Sequence, residues 1–255
     1  MAKTRYDLDG LPVLVTGAGS GIGKASALCL ARSGALVAAS DLDEEAAEAT
    51  AEEIAAAGGQ AIALALDVTD ETAQQAAVAR TLEAFGGLGA AFNAAGISGP
   101  KALLMDLEPA SFQQILEINV TGVWLSMRAQ IPAMLASGGG SIVNAASIAG
   151  LVGSRVNTGY SASKFAVVGM TRSTAMEYAT QGLRVNCVCP GWIVTAMTDA
   201  LDQAVPGLHE QLSAIAPMGR NGTPEEVAEL VAWLCSRASS FVTGSSYTLD
   251  GGRCA

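Results

Sequence analysis

Residues 11–23 read LPVLVTGAGSGIG, and this stretch decides the fold. Residues 11–16 are a short apolar run of strand type, and an apolar-periodic helix follows over 22–33. The glycines between them let the backbone turn tightly and approach a ligand closely. A helix N-terminus at that point offers unpaired N–H groups and a partial positive charge, which suits a pyrophosphate. Gly17, Ser20, Gly21, Ile22 and Gly23 are therefore candidate contacts to a dinucleotide.

Outward from this unit, strand and helix patterns keep alternating. Strands are expected at 35–40, 61–66, 89–93, 141–145, 184–189 and 245–249. Helices are expected at 44–57, 71–85, 111–135 and 158–180, and another begins at Thr223-Pro224 with a cap residue and a first-turn proline. Residues 195–218 are less regular, with Pro206 and Pro217 punctuating them. No linker, repeat or composition break divides the chain. The expectation is α/β: one Rossmann-type domain over 1–255, a doubly wound parallel sheet of about seven strands with helices on both faces. Ligands of such sheets bind outside the strand carboxyl ends, where strand order reverses.

The chain has 255 residues, half of them hydrophobic, 15% charged, with a formal charge of −10. That balance argues against nucleic acid as a partner, because phosphate binding needs clustered Lys and Arg. The N-terminus lacks the apolar run of a signal peptide, and no apolar segment approaches the roughly 18 residues of a membrane span. A soluble, cytoplasmic protein without membrane contact is expected. Five cysteines are an odd number without a paired framework. Cys187 and Cys189 alternate on a strand and face one side, where buried thiols are expected rather than a metal site. The single histidine, His209, has no serine–acid context of a hydrolase triad.

Asp41 ends the second strand in VAASDLDEE. A carboxylate there can accept from ribose hydroxyls and would repel the extra phosphate of NADP, and Leu42 stands where a compensating base would sit. NAD is the expected cofactor. The plainer role for Asp41 is to cap the helix that follows, as Asp43 also could. Tyr160 and Lys164, four residues apart on one helix, place a phenol and an ammonium on the same face. The cation should lower the phenol pKa, making Tyr160 a general acid/base for an alcohol or carbonyl.

Jointly the motifs TGAGSGIG (16–23), LDVT (66–69), NAAG (93–96), EINVTG around Asn119, SIVNAAS ending at Ser147, YSASK (160–164) and PGWIVT (190–195) span nearly the whole chain. In order and spacing the chain resembles the short-chain dehydrogenase/reductase family. That resemblance implies a catalytic set of Asn119, Ser147, Tyr160 and Lys164. Ser147 would bond the substrate oxygen, Tyr160 would exchange its proton, Lys164 would also hold the nicotinamide ribose, and Asn119 would anchor a relay water. It also implies cofactor contacts from Asp67, Val68, Asn93, Ala94, Gly96, Pro190, Gly191, Ile193 and Thr195. Ala94 replaces an asparagine usual in the family.

The substrate pocket is expected around Ile97, Ser98, Ala149, Val152, Asn157, Trp192 and a covering lid at 196–218. Within it Met197, Leu201 and Leu208 would cover the substrate and Ser98 and Asn157 would supply polar contacts. No Lys or Arg occurs in 196–218, and Arg220 follows it, which points to an uncharged, compact, ring-type secondary alcohol or ketone. Alternatives are a 3-oxoacyl-thioester reductase, a dihydrodiol dehydrogenase, or a catalytically silent NAD-binding sensor. The resemblance further implies a homo-oligomer, a tetramer before a dimer.

Overall fold

The computed structural model describes residues 6–204 and 207–255, without the side chains of Met197, Ala200, Leu201 and Ala204. Among them, seven strands form one parallel sheet: β1 Pro12–Thr16, β2 Leu36–Asp41, β3 Gln60–Ala65, β4 Ala90–Asn93, β5 Gly140–Ala145, β6 Leu183–Pro190 and β7 Ser246–Leu249. Their order is β3-β2-β1-β4-β5-β6-β7, so the sheet reverses direction of winding between β1 and β4. There Thr16 lies opposite Asn93. The helices are α1 Gly21–Arg32, α2 Glu44–Ala56, α3 Glu71–Phe85, α4 Pro109–Leu116, α5 Gly122–Ala136, α6 Thr158–Tyr178, α7 Ala196–Ala204, α8 Leu208–Ala214 and α9 Pro224–Cys235.

Alternate strand residues feed two cores, as a pleat of period two requires. Val13, Val15, Val37, Phe92 and Val143 pack with Leu30 of α1, Ile54 of α2 and Val227 and Val231 of α9. Leu14, Ala38, Ala91 and Ile142 face the other way, onto Val78 of α3, Met127 and Ile131 of α5, and Val167 and Val168 of α6. Each of the larger side chains among them, from Val to Phe, contributes about 1.5–3 kcal/mol by leaving water. Both faces of the sheet are thus covered, and the carboxyl ends of the strands are the edge left for chemistry.

Two segments differ from the sequence expectation. The helix expected at 111–135 is α4 and α5 joined by a π-helical turn, Glu117–Thr121, centred on Asn119. The reason is a side chain: the Asn119 amide reaches sideways to the backbone of Ile97, and the widened turn makes room for it. The lid segment, expected to be irregular, contains α7 and α8; Pro206, within it, lies outside the described residues. No helix among the described residues is long and apolar enough to cross a membrane.

Candidate active site

The glycine turn is shaped by close approaches. Gly17 has φ +68, and a Cβ there would meet the Ala95 backbone at 2.9 Å; one at Gly23 would fall 1.9 Å from the Gly17 carbonyl oxygen. Asp43, Asp70 and Thr223 each cap the helix they precede with a side-chain oxygen. Ser20, at the N-cap of α1, does not, and the first N–H groups of that helix are left to an incoming anion. Thr16, given no role by sequence reasoning, ties the switch point together: its Oγ1 accepts from Ala94 N at 3.1 Å and Ala95 N at 3.3 Å. A threonine ending an otherwise apolar strand was the available signal.

Asp41 lies beside this turn, accepting from Gly19 N at 2.8 Å and Asp43 N at 3.1 Å. The capping role belongs to Asp43, which accepts from Ala46 N. Leu42 is exposed next to it. Asp67 accepts from both the backbone and hydroxyl of Thr69. Two expected contacts are otherwise engaged. The Val68 side chain is buried against Gly122, and its carbonyl accepts from Gln74. The Asn93 amide, fully buried, bonds Gln130 and Asn144, and Asn144 donates on to Thr171. Its side chain belongs to this amide network between β4, β5, α5 and α6, so only its backbone is left for a cofactor. Polar residues inside apolar runs were the sign of it.

At the carboxyl ends of β4 and β5, the structure brings Gly96, Asn119, Ser147, Tyr160 and Lys164 together. A Cβ at Gly96 would stand 3.0 Å from Asn119 Oδ1 and 3.7 Å from Lys164 Nζ, so only glycine leaves that floor open. Asn119 accepts from Ile97 N and donates to Ile97 O, both at 2.9 Å, and to Ser163 Oγ at 3.0 Å. Both amide donors of Asn119 are therefore spent within the protein. Lys164, only 5% exposed, donates to the Ala145 carbonyl at 2.7 Å. Its ammonium lies 5.5 Å from the centroid of the Tyr160 ring.

The electrostatics correct one expectation. Tyr160 keeps part of its surface open, yet burial is the larger influence on its phenol and raises the pKa, with the Ser147 hydroxyl pulling it down. Lys164 does not dominate, because burial also costs its own charge and lowers it to about 8. Cys187 and Cys189 are buried on the same face of β6, as are Cys29 and Cys235 elsewhere. The neighbouring Cys187 sulfur and burial push the Cys189 thiol up.

The end of β6 closes the site. Gly191 packs on Asp250, and Ile193 is buried in the core, bridged to Gly222. Thr195 bonds Thr198 at the head of α7, and its methyl comes within 3.5 Å of where a Gly21 Cβ would be. Thus the segment after β6 reaches back to the glycine turn. Trp192 Nε1 donates to His209 Nδ1 at 3.0 Å, and His209 Nε2 meets Asp199 Oδ1 at 3.1 Å, fastening α7 and α8 to the strand end. A cavity of about 500 Å³ opens between Trp192, α8 and the C-terminal turn, without Tyr160 or Ser147 in its lining.

Of the expected substrate contacts, Ala149 is buried, donating to Ser147 Oγ, and Ser98 spends its hydroxyl on Gly99 O. Asn157 is buried at the start of α6. The Met197 and Leu201 side chains lie outside the described residues. Arg220 forks onto Glu226 and is occupied. Sequence reasoning missed Lys101, whose ammonium stands 5.8 Å from the centroid of the Tyr160 ring.

Comparison with known proteins agrees with this geometry. A family model described as Enoyl-(Acyl carrier protein) reductase matches residues 17–253. Cyclohexanol dehydrogenase of Acinetobacter sp. (strain SE19) is 44% identical over 93% of this chain and 92% of that protein. The 2,5-dichloro-2,5-cyclohexadiene-1,4-diol dehydrogenase of Sphingobium indicum is 45% identical over 96% of this chain and 98% of that protein. The crystal structure of a short-chain type dehydrogenase/reductase from Mycobacterium marinum superposes with a TM-score of 0.92 at 38% identity, covering 97% of this chain and 96% of that one.

Proposed function

The chain belongs to the short-chain dehydrogenase/reductase family, and from that premise we propose an NAD-dependent dehydrogenase of compact ring alcohols, with Tyr160 as its general acid/base. One observation carries the reading: Ser147, Tyr160, Lys164 and Asn119 meet around the bare floor at Gly96, beside the glycine turn. The family uses a nicotinamide cofactor, and the residues present fit one. The uncapped start of α1 would take the pyrophosphate, Asp41 the adenosine ribose, and Gly96, Lys164 and Thr195 the nicotinamide half. Bound there, the nicotinamide supplies the hydride acceptor or donor.

This chain's residues handle the proton. The Ser147 hydroxyl stabilises charge on the substrate oxygen, and Tyr160 takes the hydroxyl proton in oxidation or returns it in reduction. Because burial holds the phenol protonated, oxidation is favoured by alkaline conditions and reduction proceeds nearer neutrality. Asn119 keeps the Ile97 loop and Ser163 in register with the helix that carries Tyr160 and Lys164.

Asp41 supports NAD over NADP, since its carboxylate faces the turn where the extra phosphate would sit. It also counts against a 3-oxoacyl-thioester reductase, as does the charge of −10 for docking an acidic carrier. Relatives named for cyclohexanol and a cyclohexadiene diol support a ring substrate. We read the described chain as one domain whose α7–α8 segment covers the substrate. Exposed Trp124 on α5 and Phe165 and Met176 on α6, with Phe241 before β7, support a homo-oligomer, read as a tetramer, assembled through those faces.

The test is Tyr160→Phe. NAD binding should stay nearly intact while turnover of cyclohexanol falls about a hundred- to ten-thousand-fold. Near-normal activity would refute the mechanism, and NADPH serving wild type better than NADH would overturn the reading of Asp41.

A further inference from the structure

Helix α8 buries none of its residues completely, and its Leu212 borders the cavity of about 500 Å³. Apolar packing does little to fix such a helix, so polar ties carry much of its position. Those ties meet at His209, the single histidine of the chain. Its N–H donates to Asp202 Oδ1 of α7 at 2.7 Å, and its carbonyl accepts from Asn221 Nδ2 at 3.1 Å. Its ring stands edge-on to Trp192, with centroids 5.9 Å apart and planes at 75°.

The partners of that ring fix its protonation. An indole N–H can only donate, so His209 Nδ1 meets Trp192 with a lone pair. The imidazole is therefore neutral, its proton is on Nε2, and Nε2 donates to Asp199 Oδ1. The side chain is 22% exposed, within reach of solvent protons. A second proton would act on the two contacts in opposite directions. It would set an Nδ1–H against the Trp192 N–H and break that bond, while Nε2 became a charged donor to Asp199. The charged groups on the surrounding elements are Asp199 and Asp202 of α7, Glu210 of α8, and Arg220 of the next turn, itself forked onto Glu226. The carboxylates favour the proton, and the uncharged Trp192 at the end of β6 resists it.

We propose that His209 is a positioning residue for substrate: its neutral imidazole holds α8 on the indole of Trp192, and protonation moves that hold from the strand end to α7. Trp192 lies three residues before Thr195, in the segment that reaches back to the glycine turn. The bond therefore ties α8 to the stretch assigned to the nicotinamide half of the cofactor. The role rests on the reading of α7–α8 as the cover of the substrate. Mild acidity, in the range where an imidazole gains its proton, then loosens the cover without touching Tyr160 or Ser147.

The test has two arms. Nuclear magnetic resonance of protein carrying nitrogen-15 histidine reads one imidazole, because the chain has one. Near neutral pH it should show the Nε2–H tautomer; the Nδ1–H tautomer would overturn the role whatever the substrate. The second arm measures KM for cyclohexanone with NADH from about pH 5.5 to 7.5, where burial keeps the Tyr160 phenol protonated. Wild-type KM should rise about fivefold toward the acid end, with kcat changing less. His209→Asn sets a non-titrating amide oxygen toward Trp192 and should keep KM low and flat. His209→Leu should be high and flat, and Trp192→Phe, which keeps a ring without the N–H, should also lose the slope. Tm identifies a folding failure in His209→Leu, and in that event Trp192→Phe decides. A flat wild-type KM, or the wild-type slope persisting in the variants, would overturn the role while leaving the proposed function standing. Wild type reducing no ring ketone sinks the proposed function, and the role with it.

Discussion

At the start of α1, Ser20 leaves its helix uncapped; at the start of α6, Asn157 does the same. The two regions reach that state by different means. Around Ser20 the work is done by backbone: Gly17 against Ala95, Gly23 against the Gly17 carbonyl, and Gly19 N donating to Asp41. Around Asn157 it comes from an irregular lead-in: Val156 has φ +51, Asn157 itself is not helical, and its Oδ1 is buried without a hydrogen-bond partner. A dinucleotide is the same in many enzymes and can be met by a fixed main-chain cradle. A substrate differs between enzymes, and side chains on loops can change without disturbing the cradle.

If the cofactor region depends on backbone approach, one methyl group should destroy it. Gly17→Ala forces a positive φ on alanine and a 2.9 Å contact with the Ala95 backbone. Calorimetric titration should find NAD affinity reduced by about a hundredfold, with a lower Tm; unchanged affinity would break the comparison. Asp41→Ala is gentler, because it removes a charge and leaves the turn. The NADPH-to-NADH ratio of kcat/KM should rise by roughly tenfold, which steady-state kinetics with both cofactors would check.

Lys164 links the regions, and its ionisation gives a sign. Its pKa in the folded protein, about 8, lies below the value of 10.5 for a free lysine side chain. Between those values the unfolded chain binds more protons, so stability of the ligand-free protein rises with pH through that window. Above pH 10 the raised Tyr160 pKa works in the opposite direction. Thermal melts from pH 7 to 10 should show the rise in wild type and a flatter line in Lys164→Met. The smallest effect belongs to the substrate region. Val156→Gly should relieve the φ +51 strain and keep stability within about 1 kcal/mol, while loosening Asn157 and raising KM for the ring alcohol a few-fold.

The same contrast explains what the chain revealed before its structure was known. The glycine turn, the strand–helix alternation and the Tyr160–Lys164 pair are local patterns, and their geometry follows from spacing along a helix or a turn. The π turn at Asn119 was not legible, although Asn119, Val120 and Thr121 are poor helix formers in mid-helix, because the force that widens it comes from Ile97, 22 residues away. The Asn93–Gln130–Asn144 network escaped for the same reason, with partners 37 and 51 residues apart. Lys101 reads as an ordinary loop lysine until the fold brings it to Tyr160. The direction of the Tyr160 shift was misjudged because i,i+4 spacing reveals the neighbouring charge but not the burial that outweighs it.

The most direct measurement follows the reacting hydrogen itself. Wild-type protein is incubated with NAD and cyclohexanol deuterated at the carbinol carbon, and the recovered cofactor is weighed by mass spectrometry. Reduced cofactor carrying one deuterium, formed by wild type and not by Tyr160→Phe, is the expected result. Ketone formed without label in the cofactor, or no ketone from any ring alcohol despite bound NAD, would contradict the account.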